Sequence, residues 1–280
     1  KVEGVTTRFR QLYVNNTKAI RARLPNLGTN NAPNFYRLTK VDTSGKALNI
    51  ATSVGSNWKN LNKVEMHLMI AWADATLRLA SMTNMGSYTK MKIQSTEENI
   101  LFNRPYPMLG IAFSSNPPKQ QAYYLENALE FLDVAGEWYL DESANTLYYM
   151  ARSGEDMSKA NVVVPQVETL FKVAGTSTSN MIGYLAIQGI YFAHTTYMRP
   201  STMGFLNSQA GQYSISSTLS NKQYVGRPPA GVMVSNAHHV RFERNVLSQM
   251  AATGIDFVSG TNNSAIVGND ARIGPSAHLR

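Results

Sequence analysis

The 280-residue chain contains no cysteine, and this absence excludes several classes of protein at once. A disulfide framework, a thiol nucleophile and a zinc or iron–sulfur site with cysteine ligands all require that residue. Apolar runs are also short, and none reaches the roughly 20 residues that a membrane-spanning helix needs. Secretion stays compatible with this composition, because large extracellular β proteins can be stable without disulfide bonds.

Charge is scarce as well. Charged residues make up 16% of the chain, with 18 Asp and Glu against 26 Lys and Arg, which gives a formal charge of +8. The basic residues are scattered singly, and we therefore expect no nucleic-acid partner. The positive net charge is also compatible with a basic cleft that binds an acidic polysaccharide, but the charge alone does not establish one. The sequence contains no glycine-rich phosphate loop, nucleophile elbow or zinc-binding helix motif.

The polar residues that are present are mainly Asn, Ser and Thr, which favour short strands and turns over a helical bundle. Residues 8–24 alternate around Asn15-Asn16, a predicted hairpin turn. Residues 64–80 alternate again, with Trp72 on the same face and a predicted turn near Asp74. We therefore expect a β-rich, sandwich-like module over residues 1–160.

The segment over residues 123–149 is predicted to change structure midway. Three leucines recur at helical spacing, so residues 123–132 are predicted to form a short helix, with Gly136 as its left-handed cap. The stretch GEWYLDESANTLYYM then predicts a strand, a polar turn and a second strand. Aromatic residues are expected to pin the helix against this hairpin.

Short apolar segments recur from residue 161 onward. Residues 185–192 align with residues 240–247, and Asn245 and Asn269 are 24 residues apart. A period of roughly 20–30 residues with three short strands is typical of a parallel β-helix. Two unrelated turn asparagines are the alternative interpretation. We expect residues 161–280 to form β-helix coils in which Asn245 and Asn269 stack at one corner.

Three segments carry a resemblance to a known family: RQLYVNNTKAIRARLPN, YYLENALEFLDVAGEWYLDESANTLYY and HHVRFERNVLSQMAATGIDFVSGTNNSAIVGN. Together they resemble right-handed parallel β-helix carbohydrate-active proteins, and the nearest enzymes are glycoside hydrolase family 141. The resemblance covers most of residues 8–270, and LENALEFLDVAGEWYLD is its most specific part. It implies an all-β, right-handed parallel β-helix fold that carries the β-rich module, and a secreted, extracellular or periplasmic location.

In that group an earlier segment begins the helix and further coils follow. The first residue of this chain is Lys and not Met, and we expect the chain to be an internal piece of a longer protein. The last coil of a β-helix exposes an open stack edge. The remaining coils of the same protein, or another chain, are expected to cover each end.

Hydrolysis of a glycosidic bond requires two carboxyl groups. Asp256 is the first candidate: if Ile255 and Phe257 point into the coil, strand alternation places Asp256 on the outer face, where β-helix enzymes hold sugar chains. A solvated surface aspartate is the alternative. Arg280 is 24 residues further on, so it is predicted to stack beside Asp256 as an ion-pair partner, or in a lyase-like arrangement for an acidic glycan.

Glu243 and Asp270 are the other candidate catalytic carboxylates, with a structural role as the alternative for each. Coils beyond this sequence are the favoured place for the second carboxylate. His194 follows a predicted strand and opens an insertion that runs to about residue 229, and such insertions often wall a groove. Tyr197 is predicted to offer a ring face for sugar stacking, as are Tyr213 and Tyr224. For His194 the alternative is a loop histidine bonded to backbone.

No metal site is expected. His238-His239 lacks convergent carboxylates. Glu126 and Glu130, four residues apart, would share one face of the predicted helix like a metal or acid pair, and the favoured interpretation is the solvated face of a short helix.

The expected function is hydrolysis of a polysaccharide by a secreted glycoside hydrolase without a cofactor. One alternative is a polysaccharide lyase on an acidic glycan, which would need a basic residue and often Ca²⁺. The other is a non-catalytic glycan-binding or adhesion protein on the same scaffold, because repeat scaffolds serve many functions.

Overall fold

The structure is a computed structural model and describes residues 1–55, 57–70, 72–107, 109, 120–217 and 225–272. The secondary structure of these residues is mostly β, which confirms the expected all-β class, and it includes two α-helices. Among the described residues, no helix combines the length and the apolar character that crossing a membrane requires.

The strands are short and follow one another closely along the chain. In the first 160 residues they are β1 (Tyr13–Val14), β2 (Thr17–Lys18), β3 (Ile20–Arg21), β4 (Arg23–Leu24), β5 (Tyr36–Arg37), β6 (Lys40–Asp42), β7 (Ala47–Ile50), β8 (Glu65–Ile70), β9 (Ala73–Asn84), β10 (Thr89–Ile93), β11 (Ala122–Glu126), β12 (Glu137–Asp141) and β13 (Thr146–Tyr149).

The second half continues with strands of two to six residues. They are β14 (Val162–Val163), β15 (Phe171–Ala174), β16 (Ile182–Gly183), β17 (Ala186–Gln188), β18 (Tyr191–Ala193), β19 (Phe205–Leu206), β20 (Tyr213–Ser214), β21 (Val225–Gly226), β22 (Ala230–Ser235), β23 (Ala237–His238), β24 (Arg241–Glu243), β25 (Val246–Ser248), β26 (Thr253–Phe257), β27 (Ala265–Val267) and β28 (Asp270–Arg272). The helices are α1 (Ser95–Asn103) and α2 (Arg199–Met203), and 3-10 turns occur at Thr29–Asn31, Thr52–Val54, Leu61–Lys63 and Leu129–Phe131.

The described residues form two compact units. Unit 1 comprises Lys1–Thr6, Ala19–Lys159 and Met198–Arg227. Unit 2 comprises Thr7–Lys18, Ala160–Tyr197 and the chain from Pro228 onward.

Unit 1 is built on an antiparallel sheet with the strand order β4-β11-β8-β9-β10-β7-β6, to which β5 and β19 add by pairing with β11 and β9. Alternate residues of β8 (Met66, Leu68 and Ile70) and of β9 (Leu77 and Leu79) are fully buried. This period of two is what a strand with one apolar face requires. The alternation predicted over residues 64–80 is therefore confirmed as the β8–β9 hairpin.

The predicted position of the β8–β9 turn is wrong by two residues. Ile70 pairs directly with Ala73, and Asp74 already lies in β9 opposite Met69. Trp72 is consequently at the turn and is 59% exposed, so it does not continue the buried face as predicted.

The helix predicted over residues 123–132 is also wrong. Residues 122–126 form β11, which pairs with β8 along its length, and Tyr123 and Leu125 are fully buried. The leucine spacing suited a helix, but burial at every second residue in a central strand overrides that local pattern. Asn127, with φ 72, ends the strand.

The two predicted hairpins are confirmed. β12 and β13 pair antiparallel, with Trp138 opposite Tyr149. β1 and β2 pair across Asn15 and Asn16, whose φ values of 50 and 62 are those of a two-residue hairpin turn.

Unit 2 contains parallel ladders. Three of its three-stranded sheets are β15-β22-β26, β17-β24-β27 and β18-β25-β28, and β16 pairs with β23. All these pairs are parallel, and Ile187, Phe242 and Ile266 lie in register on neighbouring strands. The inferred alignment of residues 185–192 with 240–247 is therefore confirmed. The inner face is apolar, and its centre contains Val232, Val234 and Phe242.

The backbone conformation of the turns between these strands repeats, as the strands themselves do. Residues with positive φ recur five apart, at equivalent positions beside the paired parallel strands: Tyr184, Gly189 and His194, then His239, Arg244 and Gln249, then Asn263 and Gly268. Six of these eight residues are not glycine, although the left-handed region is costly for other residues. The parallel-paired segments therefore turn in the same backbone conformation at equivalent positions.

The insertion between β18 and β22 departs from this repeat. It contains α2 and the strands β19 to β21. Phe205 of β19 pairs with Thr76 of β9, so the insertion contributes a strand to the sheet of unit 1.

Candidate functional site

Asp256 lies in the middle of β26, opposite Met233 of β22. Its neighbours Ile255 and Phe257 pack against the apolar core of unit 2. Because successive side chains of a strand point to opposite faces, Asp256 lies on the outer face of the ladder. Its side chain is half-buried.

The same outer face carries one basic residue of β15. Lys172 is in register with Met233, and Met233 with Asp256, so Lys172 is two strands away from the aspartate. At the usual strand spacing their backbones are roughly 10 Å apart. Within the described strands of this ladder Asp256 is the one acidic residue. The ladder therefore offers a single carboxylate for acid–base chemistry.

Glu243 lies on a different ladder, in β24, and is only 4% exposed. Its carboxylate accepts a hydrogen bond from Gln188 Nε2 at 2.6 Å and contacts Arg244 Nη2 at 2.8 Å. Arg241 also donates to it through Nε. Two guanidinium groups thus compensate this charge, an arrangement that fixes the corner between β24 and β25.

Asp270 lies on a third ladder, in β28, and is exposed. It pairs with Arg272 at 2.7 Å. The three predicted carboxylates therefore belong to three different ladders, and the structure does not bring them together on one.

The predicted groove residues lie where the insertion begins. The His194 ring packs edge to face on Tyr13, with 4.7 Å between ring centroids. Burial lowers the pKa of His194. A side-chain hydrogen bond with Gln249 acts in the opposite direction, but its effect is smaller. Tyr197 is 8% exposed, so its ring is covered. Arg280, like Tyr224, lies outside the described residues.

The structure adds a buried ionic cluster in unit 1 that the sequence did not predict. Glu65 of β8 is directly opposite Glu126 of β11. Arg21 Nη1 lies 2.9 Å from a carboxylate oxygen of each. Ser201 donates a hydrogen bond to Glu65 at 2.6 Å. Since Glu126 ends a strand in a central part of the sheet, its predicted place on a solvated helix face beside Glu130 is wrong.

A histidine completes this cluster. His67 Nε2 lies 3.1 Å from Glu126 Oε1, and the ring stacks on Tyr124 with 4.4 Å between centroids. Glu65, His67 and Glu126 each place a ligand atom within 4.8 Å of the others, which is a geometry that could hold a metal ion. However, the guanidinium of Arg21 already lies against both carboxylates. The donor set therefore fits an internal ion network better than a metal centre.

Another buried carboxylate lies beside a cavity of unit 1. The cavity has a volume of about 220 Å³ and is lined by Glu137, three asparagines (Asn26, Asn30 and Asn31) and several apolar residues. Burial raises the pKa of Glu137 to about 7. Its carboxylate accepts backbone N–H groups of Asp133 and Val134 at 3.2 and 3.3 Å. These bonds hold the turn that precedes β12.

Comparison with known proteins places these features in a family. The model of the GH141 insertion domain matches residues 1–152, slightly more than half of the chain, and the chain belongs to this family. A solved structure named "Glycoside hydrolase" is similar, with a TM-score of 0.77 and 30% identity over 98% of this chain. The match covers 50% of that structure's chain, so the present chain spans about half its length. No curated protein sequence matches the chain.

Proposed function

We propose that this chain is part of a secreted or periplasmic glycoside hydrolase that cleaves a polysaccharide. Its membership of the GH141 insertion domain family supports this proposal. The name and the extent of the similar solved structure support it as well. The polysaccharide is the expected partner, together with the remaining coils of the longer protein.

In this proposal unit 2 is a segment of a right-handed parallel β-helix. The parallel ladders with constant register support it. The corner residues with positive φ that recur on successive coils support it too. Such a scaffold presents a long outer face made of strands from many coils, which suits an extended sugar chain.

Asp256 is the proposed catalytic carboxylate of this face. The observation that carries the proposal is its place between two core-facing residues on a three-stranded parallel ladder. A half-buried carboxyl group at such a position can donate or accept a proton at a glycosidic oxygen. Its partner carboxylate is expected from coils outside this sequence, because the described ladder supplies one acid. The separation of the two would determine retention or inversion.

The other predicted site residues take supporting roles in this proposal. Glu243 holds a corner through its arginine contacts. Asp270 pairs with Arg272 near the outer surface. His194, neutral at neutral pH since burial lowers its pKa, borders the insertion as a groove residue. Tyr197 is covered and takes no stacking role in this proposal, and Arg280 is kept as the predicted neighbour of Asp256.

The proposal is tested with the full-length protein and a panel of plant, algal and host polysaccharides. Reducing ends and ultraviolet absorbance are recorded on the same samples. A hydrolase releases reducing ends without new absorbance. Reducing ends that appear together with absorbance from a new double bond would identify a lyase instead. Retention on a polysaccharide without any product would identify a binding protein.

A further inference from the structure

Two large aromatic side chains of unit 1 lie exposed next to each other. Trp72, at the β8–β9 turn, is 59% exposed, and Tyr106 is 55% exposed. Their ring centroids are 6.4 Å apart and their planes differ by 28°. The rings are therefore nearly parallel neighbours, and both keep more than half of their surface open to solvent.

One loop bonds directly to Trp72 and to Arg104, which lies two residues before Tyr106. Trp72 Nε1 donates a hydrogen bond to the carbonyl oxygen of Ser208 at 3.2 Å. Arg104 Nη1 donates to the carbonyl oxygen of the preceding residue, Asn207, at 2.9 Å. Tyr106 is two residues after Arg104 and lies between two prolines, whose rings restrict the backbone. Rings fixed in this way lose little conformational entropy when a ligand binds.

The size of this aromatic pair indicates what it can bind. Aromatic side chains present roughly 150–250 Å² each, so two half-exposed rings offer roughly 200 Å². A stable protein–protein interface takes about 800 Å² from each partner. The pair alone is far smaller than such an interface, and its area matches the apolar faces of one or two sugar rings. The adjoining loop is polar, with Ser208 half-buried and Gln209 exposed, and can bond sugar hydroxyls.

The segments that carry the two rings also contain a buried cation and an acid, which are both bonded to Asn207. Arg104 is 4% exposed, and burial lowers its pKa to about 10, so it stays protonated at neutral pH. Asn207 connects it to an acid, because Asn207 Nδ2 donates to Asp74 Oδ1 at 2.9 Å. Stacking rather than net charge is then expected to dominate binding, and neutral as well as acidic sugars fit.

We propose that Trp72 and Tyr106 form a glycan-binding site in the insertion domain, on which pyranose rings of a polysaccharide chain stack. This inference rests on the proposed function only in taking a glycan as the ligand. The site belongs to unit 1, whereas Asp256 belongs to unit 2. In this proposal the GH141 insertion domain, which is residues 1–152, holds the polysaccharide independently of Asp256.

The experiment measures protection of Trp72 in the full chain. The other two tryptophans are less accessible: Trp138 is 1% exposed, and Trp58 packs against Phe131 at 4.9 Å between centroids. Oxidation by N-bromosuccinimide, followed by mass spectrometry, therefore reports mainly on Trp72. The probes are pectin and its galacturonate oligomers as the acidic arm, and xylan and its oligomers as the neutral arm. Slower oxidation of Trp72 with either arm is the expected result.

Variants assign the effect to the aromatic pair. Trp72→Ala and Tyr106→Ala should each weaken retention on the protecting polysaccharide by roughly tenfold or more. Phe35→Ala removes another ring of unit 1, 38% exposed, and should leave retention unchanged. The inference would be overturned if Trp72→Ala were retained on the polysaccharide as strongly as the parent. It would also be overturned if neither polysaccharide slowed the oxidation of Trp72. Protection without any hydrolysis by the full-length protein would sustain this site while ending the proposed catalytic function.

Discussion

Asn245 donates its side-chain amide to Asn269 Oδ1 at 3.1 Å, one coil further along the chain. The same amide donates to the carbonyl oxygen of Ile187 at 2.9 Å, and Asn245 Oδ1 accepts the backbone N–H of Ile190 at 2.9 Å. One buried side chain thus bonds to an earlier and to a later segment of the parallel ladders. The predicted stacking of the two asparagines is confirmed, with the bonds along the ladder that the prediction required.

Asn245→Ala should destabilise the chain by about 3 kcal/mol, because the Ile187 carbonyl and the Ile190 N–H lose their buried partner. Asn269→Ala is the matched control. Asn269 is half-buried, and among the described residues its bonds to other segments go to Phe242 and Asn245, so the expected loss is about 1 kcal/mol. Urea denaturation of the full chain, followed by circular dichroism, measures both. Equal losses in the two variants would contradict this account of the corner.

Gly175 lies where its backbone closely approaches the carbonyl groups of Asn180 and Asn236, and a substitution there tests this packing. A Cβ at this position would lie 2.6 Å from the carbonyl oxygen of Asn180 and would overlap that of Asn236, and backbone atoms cannot turn aside. Gly175→Ala should therefore cost about 1–3 kcal/mol. In β26, Gly254→Ala should be nearly neutral, because its added Cβ would meet only Leu247, at an ordinary 3.7 Å. A thermal melt of both variants checks the difference, and similar midpoints would argue against the packing described for Gly175.

The buried cluster of unit 1 depends on Arg21. Arg21→Met keeps an unbranched apolar stem but leaves Glu65 and Glu126 without their shared cation. A broken buried ion pair typically costs about 3–5 kcal/mol, and we expect a loss in that range. Arg21→Lys should recover part of it, since a single ammonium cannot reproduce the fork geometry of the guanidinium.

An exposed ion pair provides the comparison for Arg21. Lys159 contacts Asp156 at 3.4 Å, and both side chains are more than half exposed. Lys159→Met should change the free energy of unfolding by less than about 1 kcal/mol. If Arg21→Met were as mild as Lys159→Met, the two carboxylates would have to be hydrated or protonated rather than paired.

Glu137 should make stability depend on pH. Its pKa of about 7 in the folded chain is raised above the ordinary 4.5 by burial. The folded state therefore binds the proton more tightly than the unfolded state. The resulting stabilisation is fully present below about pH 4.5 and is lost as the pH rises through about 7. Its size is on the order of 3 kcal/mol.

Glu137→Gln removes this titration, because the amide stays neutral at all these pH values. The decline in the free energy of unfolding between pH 4.5 and 7 should become shallower than in the parent. Glu130→Gln, in the preceding 3-10 turn, serves as the control and should keep the parental slope. Parallel stability curves for Glu137→Gln and the parent would rule out a raised pKa at this carboxyl.

Much of unit 2 could be predicted from the sequence because its contacts repeat along the chain. Residues at a fixed offset meet on neighbouring strands, so aligning Ile187 with Phe242 was enough to give their register. Asp256 could be placed on the outer face because strand alternation is a local rule and its two neighbours are apolar.

The rest depends on contacts between distant segments, which local patterns do not encode. Residues 123–126 form a strand because β8, more than fifty residues earlier, pairs with them. The same pairing brings Glu65 opposite Glu126. The sequence around each residue therefore does not indicate an ionic cluster, and its one local sign is that Glu65 and His67 alternate with buried apolar residues of β8. The prediction that Trp72 continues the buried face is wrong because the register of the β8–β9 pair determines which residues form the turn.

The central claim is that Asp256 supplies a catalytic carboxyl group on the outer face of the parallel ladders. Its most direct test compares the initial rate of reducing-end release by the full-length protein with that of Asp256→Asn, on the polysaccharide that the parent cleaves. The account predicts a fall in kcat of roughly 10²–10⁴-fold with unchanged folding, whereas Asp270→Asn stays close to the parental rate. A parental rate in Asp256→Asn would contradict the account.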